Sequence, residues 1–447
     1  MDVSNLIVQV LGIQDLKLCF FIACSDFQSF KLFTEVKRPT RGCNSCHYPA
    51  LLNHGWRSKT IQVPPIGIFN QVFLEIRFER LKCPVCGCVQ SFLPAGIHKK
   101  FDGYSTSFVE TAGRLMEETT CAASSRLLGC NAKTLWSMDN YRTKILKKHF
   151  KIPKDLDVSK LSADEVHFRT HKNINRTNPF SPRWDIRFIT NLVATSHAKI
   201  IANHQARNDI SLKNCLRVLT KEQLSKVEFF ALDMHQGFMR AAQRLCPNAN
   251  ICVDRFHLVQ KLNESFDKVR KSELWKAKKI NDEFQQIMLS PGRRFMFLEK
   301  NPQLTYEEHN MLGKLKLINT DINNAMLIVD YFHKVLDEKY VGSFRTKLTQ
   351  WYNLVREAKN KHLLGFARLV RKYRVNIENY IKSNLTTAVS EGLNNKIRVL
   401  KAMAYDYSNE ESYMNKILQR CGFLNSNCMD TTPLYCNSDF GTIPVHH

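Results

Sequence analysis

The chain has 447 residues, 44% of them hydrophobic and 24% charged, which excludes wholesale disorder or a fibrous repeat and, at about 150 residues per domain, predicts roughly three domains. Lys and Arg total 65 against 41 Asp and Glu, a net charge of +24 with a pI near 9.5; such an excess self-repels unless a polyanion neutralises it, and nucleic acid is the usual one. The longest apolar run near the N-terminus, Leu18 to Cys24, is too short to span a bilayer and lacks the flanks of a signal peptide. The expectation is a soluble, cytoplasmic protein with no membrane partner.

Residues 1–100 alternate apolar and polar positions with Pro and Gly between them, as in 72–80, and predict short strands. Two knuckles interrupt them, Cys43-Asn-Ser-Cys46 and Cys83-Pro-Val-Cys86-Gly87. Two residues between thiolates let one tight turn offer both sulfurs to one metal, and the glycine permits a positive φ behind the second. Two such turns make a structural four-cysteine zinc site, with a strand pair filling 47–82 and His47 and Cys88 as spare ligands. Of the 15 cysteines, the others read as buried thiols. The competing reading is four unpaired thiols in a small β domain.

From Ser105 to about Phe150 the pattern turns helical. Thr120 to Trp136, with Gly129 between Leu128 and Asn131, reads as a helix-turn-helix. Leu127 and Leu128 are expected in its core, and Asn131 caps a second helix exposing Lys133, Asn140, Arg142 and Lys144 to DNA. An ordinary helical hairpin is the bland alternative.

A linker is predicted over 151–160, then strands at 161–168, 186–195 and 197–203 with a Pro-rich loop at 178–182. A helix at 208–220, a strand at 227–232, a helix at 235–245 and a strand at 250–253 follow. Residues 256–382 are almost all helix formers, one further helix is predicted over 383–402, and 425–447 reads as a flexible tail.

Three acids stand out. Asp164 lies on the first of these strands, Asp233 ends the strand 227–232, and Glu391 sits on the helix 383–402. On that helix Val389, Leu393, Ile397 and Leu400 form an apolar stripe, while Asn384, Glu391, Asn395 and Arg398 fall opposite. Three carboxylates suit Mg2+ or Mn2+, and two such ions can clamp the attacking and leaving oxygens of a phosphoryl transfer. Spacing alone does not show that they converge. Glu165 and Asp254 compete locally, Glu378 and Glu410 more weakly, and the polar helix face has a plain alternative as solvated surface.

Asp164-Glu165, Ala231-Leu-Asp233-Met, the run from Cys246-Pro through Asp254-Arg-Phe-His257, and Ser383-Asn384 through Glu391-Gly-Leu-Asn394-Asn395 together resemble the ISL3 family of insertion-sequence DDE transposases over about residues 38–423. The resemblance implies a multidomain α+β protein. Its parts would be a zinc-ribbon domain (1–100), a helix-turn-helix domain (101–150) and a ribonuclease-H-like core (151–258 and 383–424) interrupted by an all-helical insertion (259–382); the flexible tail (425–447) lies beyond the resemblance. It implies Asp164, Asp233 and Glu391 as catalytic ligands of two Mg2+ or Mn2+ ions, and Cys43, Cys46, Cys83 and Cys86 as ligands of a structural Zn2+. Asp254 and His257 would line the site, His257 as a phosphate or strand contact or, equally, a packed histidine; Asn395 and Arg398 would face DNA. The implied activity is binding of terminal inverted repeats, strand cleavage and strand transfer into target DNA by a homodimer or higher synaptic complex. The alternatives are a domesticated zinc and helix-turn-helix DNA-binding protein without catalysis, and a nuclease that cuts without joining.

Overall fold

The computed structural model describes residues 11, 13, 15–23, 29–38, 42–173, 183–297, 304–383, 385, 388–404, 407 and 409–425. The loop predicted at 178–182, Asn384, and the tail from 426 onward lie outside the described residues. The chain forms two compact units, one from Met1–Lys151 with Val399–His447, the other from Ile152–Arg398.

In the first unit, strands β1 (Leu16–Ala23), β2 (Ser29–Val36), β3 (Leu52–Val63) and β4 (Gln71–Lys82) form a sheet of order β1-β2-β4-β3, with β5 (Val89–Ser91) also on β4. The predicted two-residue period holds in β4, where Val72, Leu74, Ile76 and Phe78 are buried. Three helices follow: α1 (Thr106–Glu118), α2 (Cys121–Leu128) and α3 (Ala132–His149). Gly129 closes α2 at φ 55°; a Cβ there would stand 2.2 Å from the Gln71 side chain, so the turn needs both the conformation and the missing atom. Asn131 caps α3 through the Lys133 N–H, as predicted. Leu128 is buried, but Leu127 is 54% exposed and does not fill the core as expected, because α2 turns only one face to its neighbours.

The second unit begins with β6 (Lys160–Asn173), β7 (Arg183–Ala194) and β8 (Lys199–Gln205). The predicted helix 208–220 is two, α4 (Asp209–Leu216) and α5 (Lys221–Ser225). Thr220 and Gln223 form a capping box that starts the second helix afresh. Then come β9 (Phe229–Leu232), α6 (Gln236–Leu245) and β10 (Asn250–Val253). The sheet order is β10-β9-β6-β7-β8, antiparallel on the β7–β8 side and parallel from β6 through β9 to β10. Leu161, Ala163, Ile189, Leu192, Phe230, Leu232 and Val253 are all buried in it.

The helical stretch is α7 (Arg255–Lys279), α8 (Glu283–Met288), α9 (Tyr306–Ile318), α10 (Thr320–Leu336), α11 (Val341–Glu357), α12 (Lys361–Lys372) and α13 (Arg374–Ser383). Its centre is Trp351, whose Nε1 donates to the Ile328 carbonyl at 3.0 Å with Phe332 and Phe366 packed on the ring. α13 ties this layer to the sheet, since Asn376 and Asn379 both donate to the Ile251 carbonyl.

The helix predicted over 383–402 begins later, as α14 (Ala388–Met403). Ser383 Oγ accepts from the Leu385 N–H and donates to the Tyr380 carbonyl, a local bonding pattern that competes with helix and separates α14 from α13. The last helix, α15 (Glu410–Cys421), clusters with the N-terminal unit. The segment from Val399 to 424 therefore differs from its predicted place in the catalytic core. Lys416 on α15 pairs with buried Asp139 at 2.9 Å and donates to the Met116 carbonyl.

Candidate active site

The register of the parallel strands sets the site. Ala163 on β6 stands opposite Leu232 on β9, so the next residues, Asp164 and Asp233, occupy matching positions where β9 ends. In a parallel pair, matched positions point to the same face. This is the carboxyl end of β9, where open α/β sheets place their ligand sites.

His257, on the first turn of α7, lies between the two acids. Its Nε2 is 3.5 Å from Asp164 Oδ1 and its Nδ1 3.7 Å from Asp233 Oδ1. Each Oδ1 also accepts the next residue's backbone N–H, from Glu165 at 2.8 Å and from Met234 at 2.6 Å. The Oδ2 atoms are held from outside. Asn394 Nδ2 donates to Asp164 Oδ2 at 2.6 Å, and Arg207 Nη2 donates to Asp233 Oδ2 at 2.6 Å while pairing with Glu165 Oε1 at 2.8 Å.

The charges interlock. Burial opposes a charged His257, but the Asp164 hydrogen bond and the charges of Asp233, Asp164 and Asp254 outweigh it and raise its pKa to about 9. Burial likewise pushes Asp164 up, yet His257 and Asn394 leave it below the usual carboxylate value. Glu165 is raised to about 7 by burial and the neighbouring Asp164 charge, against the pull of Arg207. Asp254 is raised by burial; its carboxylate caps α7, accepting from the Phe256 N–H at 2.8 Å. His257 is thus a bridge between acids.

Glu391 is on the first turn of α14. Ser390 Oγ lies 3.0 Å from Ser162 Oγ, and Asn394 bonds Asp164. Residues i and i+2 of a strand therefore meet i and i+4 of a helix, two spacings that nearly match. Glu391 lies at the rim of that contact, exposed, and among the described residues it makes no hydrogen bond or ion pair. Asn395 and Arg398 are exposed on the same helix. Among the described residues the three acids do not gather within 4.8 Å of one another. The structure joins Asp164 to Asp233 through His257 and leaves Glu391 one helical turn from Asn394.

Hard carboxylate oxygens at the carboxyl end of β9 fit Mg2+ or Mn2+, and the buried Glu165 Oε2, a further oxygen at the same place, has no hydrogen-bond partner among the described residues. Glu378 is no competitor, since Arg345 and Arg374 hold both its oxygens. Sequence reasoning missed Arg207. A cation two residues beyond a strand and two before a helix was the available signal, and no periodicity marks it.

In the other unit, the Sγ atoms of Cys43, Cys46, Cys83 and Cys86 all lie within 4.8 Å of one another. The knuckles repeat each other's hydrogen bonds: Cys43 N–H to Tyr48 and His47 N–H to Cys43, then Cys83 N–H to Cys88 and Gly87 N–H to Cys83. His47 at φ 61° does in the first knuckle what Gly87 at φ 71° does in the second. Backbone N–H groups of Cys46 and Ser45 lower the Cys43 thiol to about 6, favouring the thiolate that zinc binds. Cys88 and His47 stay outside the quartet.

On α3, Lys133 and Lys144 are exposed and Asn140 is half-buried. Arg142 is not a DNA contact. It is 2% exposed, with Nε on Glu110 at 2.9 Å and Nη1 on Glu117 at 2.6 Å. Its place on α3 turns it inward toward α1, where those carboxylates neutralise it.

The ISL3-type DDE family model, described as a transposase, matches residues 162–417, more than half of the chain, including Asp164, Asp233, His257 and Glu391. The chain belongs to that family. The protein is accordingly a DNA transposase, an enzyme that cleaves and transfers DNA. It is 21% identical over 376 residues to the transposase for insertion sequence element IS1001 of Bordetella parapertussis, covering 84% of this chain and 87% of that one. It is 20% identical over 361 residues to the transposase for IS1557 of Mycobacterium tuberculosis, covering 76% and 77%. A Drosophila P element transposase strand transfer complex aligns over 75% of this chain and 93% of that one, at 10% identity and a TM-score of only 0.36. No helix among the described residues is long and apolar enough to cross a membrane.

Proposed function

We propose that this transposase mobilises an insertion sequence by cutting DNA at terminal inverted repeats and joining the freed ends to target DNA. Asp164, Asp233 and Glu391 serve as ligands of two Mg2+ or Mn2+ ions. The observation that carries this reading is the pair of aspartates at matched positions of β6 and β9 turning their Oδ1 atoms to one shared imidazole. Bound divalent ions supply Lewis-acid activation of a water or 3′-hydroxyl nucleophile and stabilise the leaving 3′-oxygen. His257 holds the two carboxylates together until DNA enters, and its cation then favours a strand phosphate. Glu391 joins by rotation of its exposed side chain from the rim.

End recognition falls to the N-terminal unit, with Cys43, Cys46, Cys83 and Cys86 holding a structural Zn2+ and Lys133, Asn140 and Lys144 meeting DNA from α3. Asn395 and Arg398 contact DNA beside the carboxylates. Two ends are paired by a homodimer or higher synaptic complex, in the cytoplasm on DNA. The test is cleavage in Mg2+ of a plasmid carrying the element's two ends. Asp164→Asn, Asp233→Asn and Glu391→Gln should each drop cleavage to background while leaving DNA binding nearly intact. Wild-type cleavage by any of the three would remove that residue from the triad.

A further inference from the structure

Asp164 and Asp233 are held in the same way by unrelated parts of the chain. At each, Oδ1 accepts a backbone N–H and faces His257, while Oδ2 is engaged from the far side, by Asn394 of α14 at Asp164 and by Arg207 at Asp233. A carboxylate free to rotate about its Cβ–Cγ bond presents either oxygen, or both, to an incoming ion. One clamped through Oδ2 presents Oδ1 alone, in a fixed direction. Partners of this kind, bonded to a ligand and not to the metal, set ligand direction and basicity.

On the reading that Asp164 and Asp233 ligate divalent ions, we propose that Asn394 and Arg207 are a matched pair of positioning residues, each clamping Oδ2 so that the two Oδ1 atoms converge on one position. Glu165 completes the device at Asp233. Its Oε1 pairs at 2.8 Å with the same Nη2 that holds Asp233, so one guanidinium nitrogen is fixed between two carboxyl groups. Asn394 does a second task, because it is one turn from Glu391. The bond that aims Asp164 also holds the helix carrying the third acid, with Ser390 and Ser162 as the companion contact.

The test measures Mn2+ binding by electron paramagnetic resonance on the zinc-saturated full chain, with Mn2+ as the only probe. Asn394→Ala removes the clamp without altering charge at a half-buried position. Arg207→Lys keeps the charge but loses the rigid planar guanidinium that places Nη2 between Asp233 and Glu165. Each should weaken Mn2+ about tenfold or more, the usual cost of losing such a partner, and broaden the spectrum of the bound ion. A purely structural role would lower the melting temperature and leave both readouts at wild-type values. If both variants bind Mn2+ within about twofold of wild type while Asp164→Asn abolishes binding, the positioning roles are overturned and the carboxylate site stands. If wild type and Asp164→Asn bind Mn2+ alike, the carboxylate reading falls and the positioning roles with it. Should one variant fail to fold, the other decides, since the two lie on different elements.

Discussion

Ser162 and Ser390 share a hydrogen bond of 3.0 Å although 228 positions separate them in sequence. With Asp164 and Asn394 two and four residues further on, they form a two-point seam between the first strand of the core and the helix of the third acid. The whole helical stretch lies between its two sides, so bringing Glu391 near Asp164 depends on how a long insertion returns the chain to its starting strand.

Arg142 and Lys144 are two residues apart on one helix and should behave oppositely. Arg142→Ala takes the buried cation from Glu117 and leaves Glu110 with only the more exposed Arg114 at 3.0 Å, and breaking such a set costs about 3–5 kcal/mol. Urea unfolding should show that loss. Lys144→Ala should leave stability unchanged and weaken binding to terminal-repeat DNA in a mobility-shift assay.

Binding of that DNA should fall linearly on a log–log plot against salt, with a slope of about −0.9 per phosphate contacted. Lys133→Ala and Lys144→Ala should each reduce the slope by about one unit if each lysine meets a phosphate. A slope that neither substitution changes would move the interface off α3.

Zinc removal should affect one unit and spare the other. Chelation, or Cys83→Ser, should expose the N-terminal unit to limited proteolysis and lose repeat recognition, because metal binding at a four-thiolate site is folding energy. Mn2+ binding at the carboxylates should persist. Full resistance to protease after complete loss of zinc would argue against a structural metal there.

Acid should weaken the helical layer through Glu378. Its carboxyl is held below the usual glutamate value by Arg345, with Arg374 adding to it. A pKa lowered in the folded state gives stability that is full above the unfolded value, about 4.3, and is lost as pH falls through the folded value. Glu378→Gln should therefore lower the melting temperature near neutral pH, and the gap to wild type should close as the pH drops below about 4.

The parts legible in the sequence are those governed by local rules. Alternation marked β4, the two-residue spacing marked the cysteine quartet, and the Gly129-Cys130-Asn131 turn with its cap was predictable from φ and hydrogen-bonding needs alone. What resisted prediction was contact between distant segments. Arg142 looked like a DNA contact because helical periodicity gives its side chain an angle but not the carboxylates it meets. Leu127 looked like core because apolar character does not say which neighbour is present. Asp164 and Asp233 could be named, but only the β6–β9 register shows them side by side. The clamping roles of Arg207 and Asn394 exist only through that pairing.

The unit that carries the cysteine quartet and α3 is built from two segments far apart in sequence. Tyr413 and Ile417 of α15 are buried, Lys416 neutralises Asp139, and Gln419 bonds Thr143 on α3. During translation, therefore, residues 106–149 emerge early but wait for about 270 more amino acids before Lys416 supplies the counter-ion of Asp139, and domains generally fold as units in order of synthesis. The ribosome finishes the β6–β10 sheet first. A fragment cut after residue 151 would carry the zinc knuckles and α3 yet leave a carboxylate stranded beneath them, so an isolated end-binding module has to be made by grafting α15 back on.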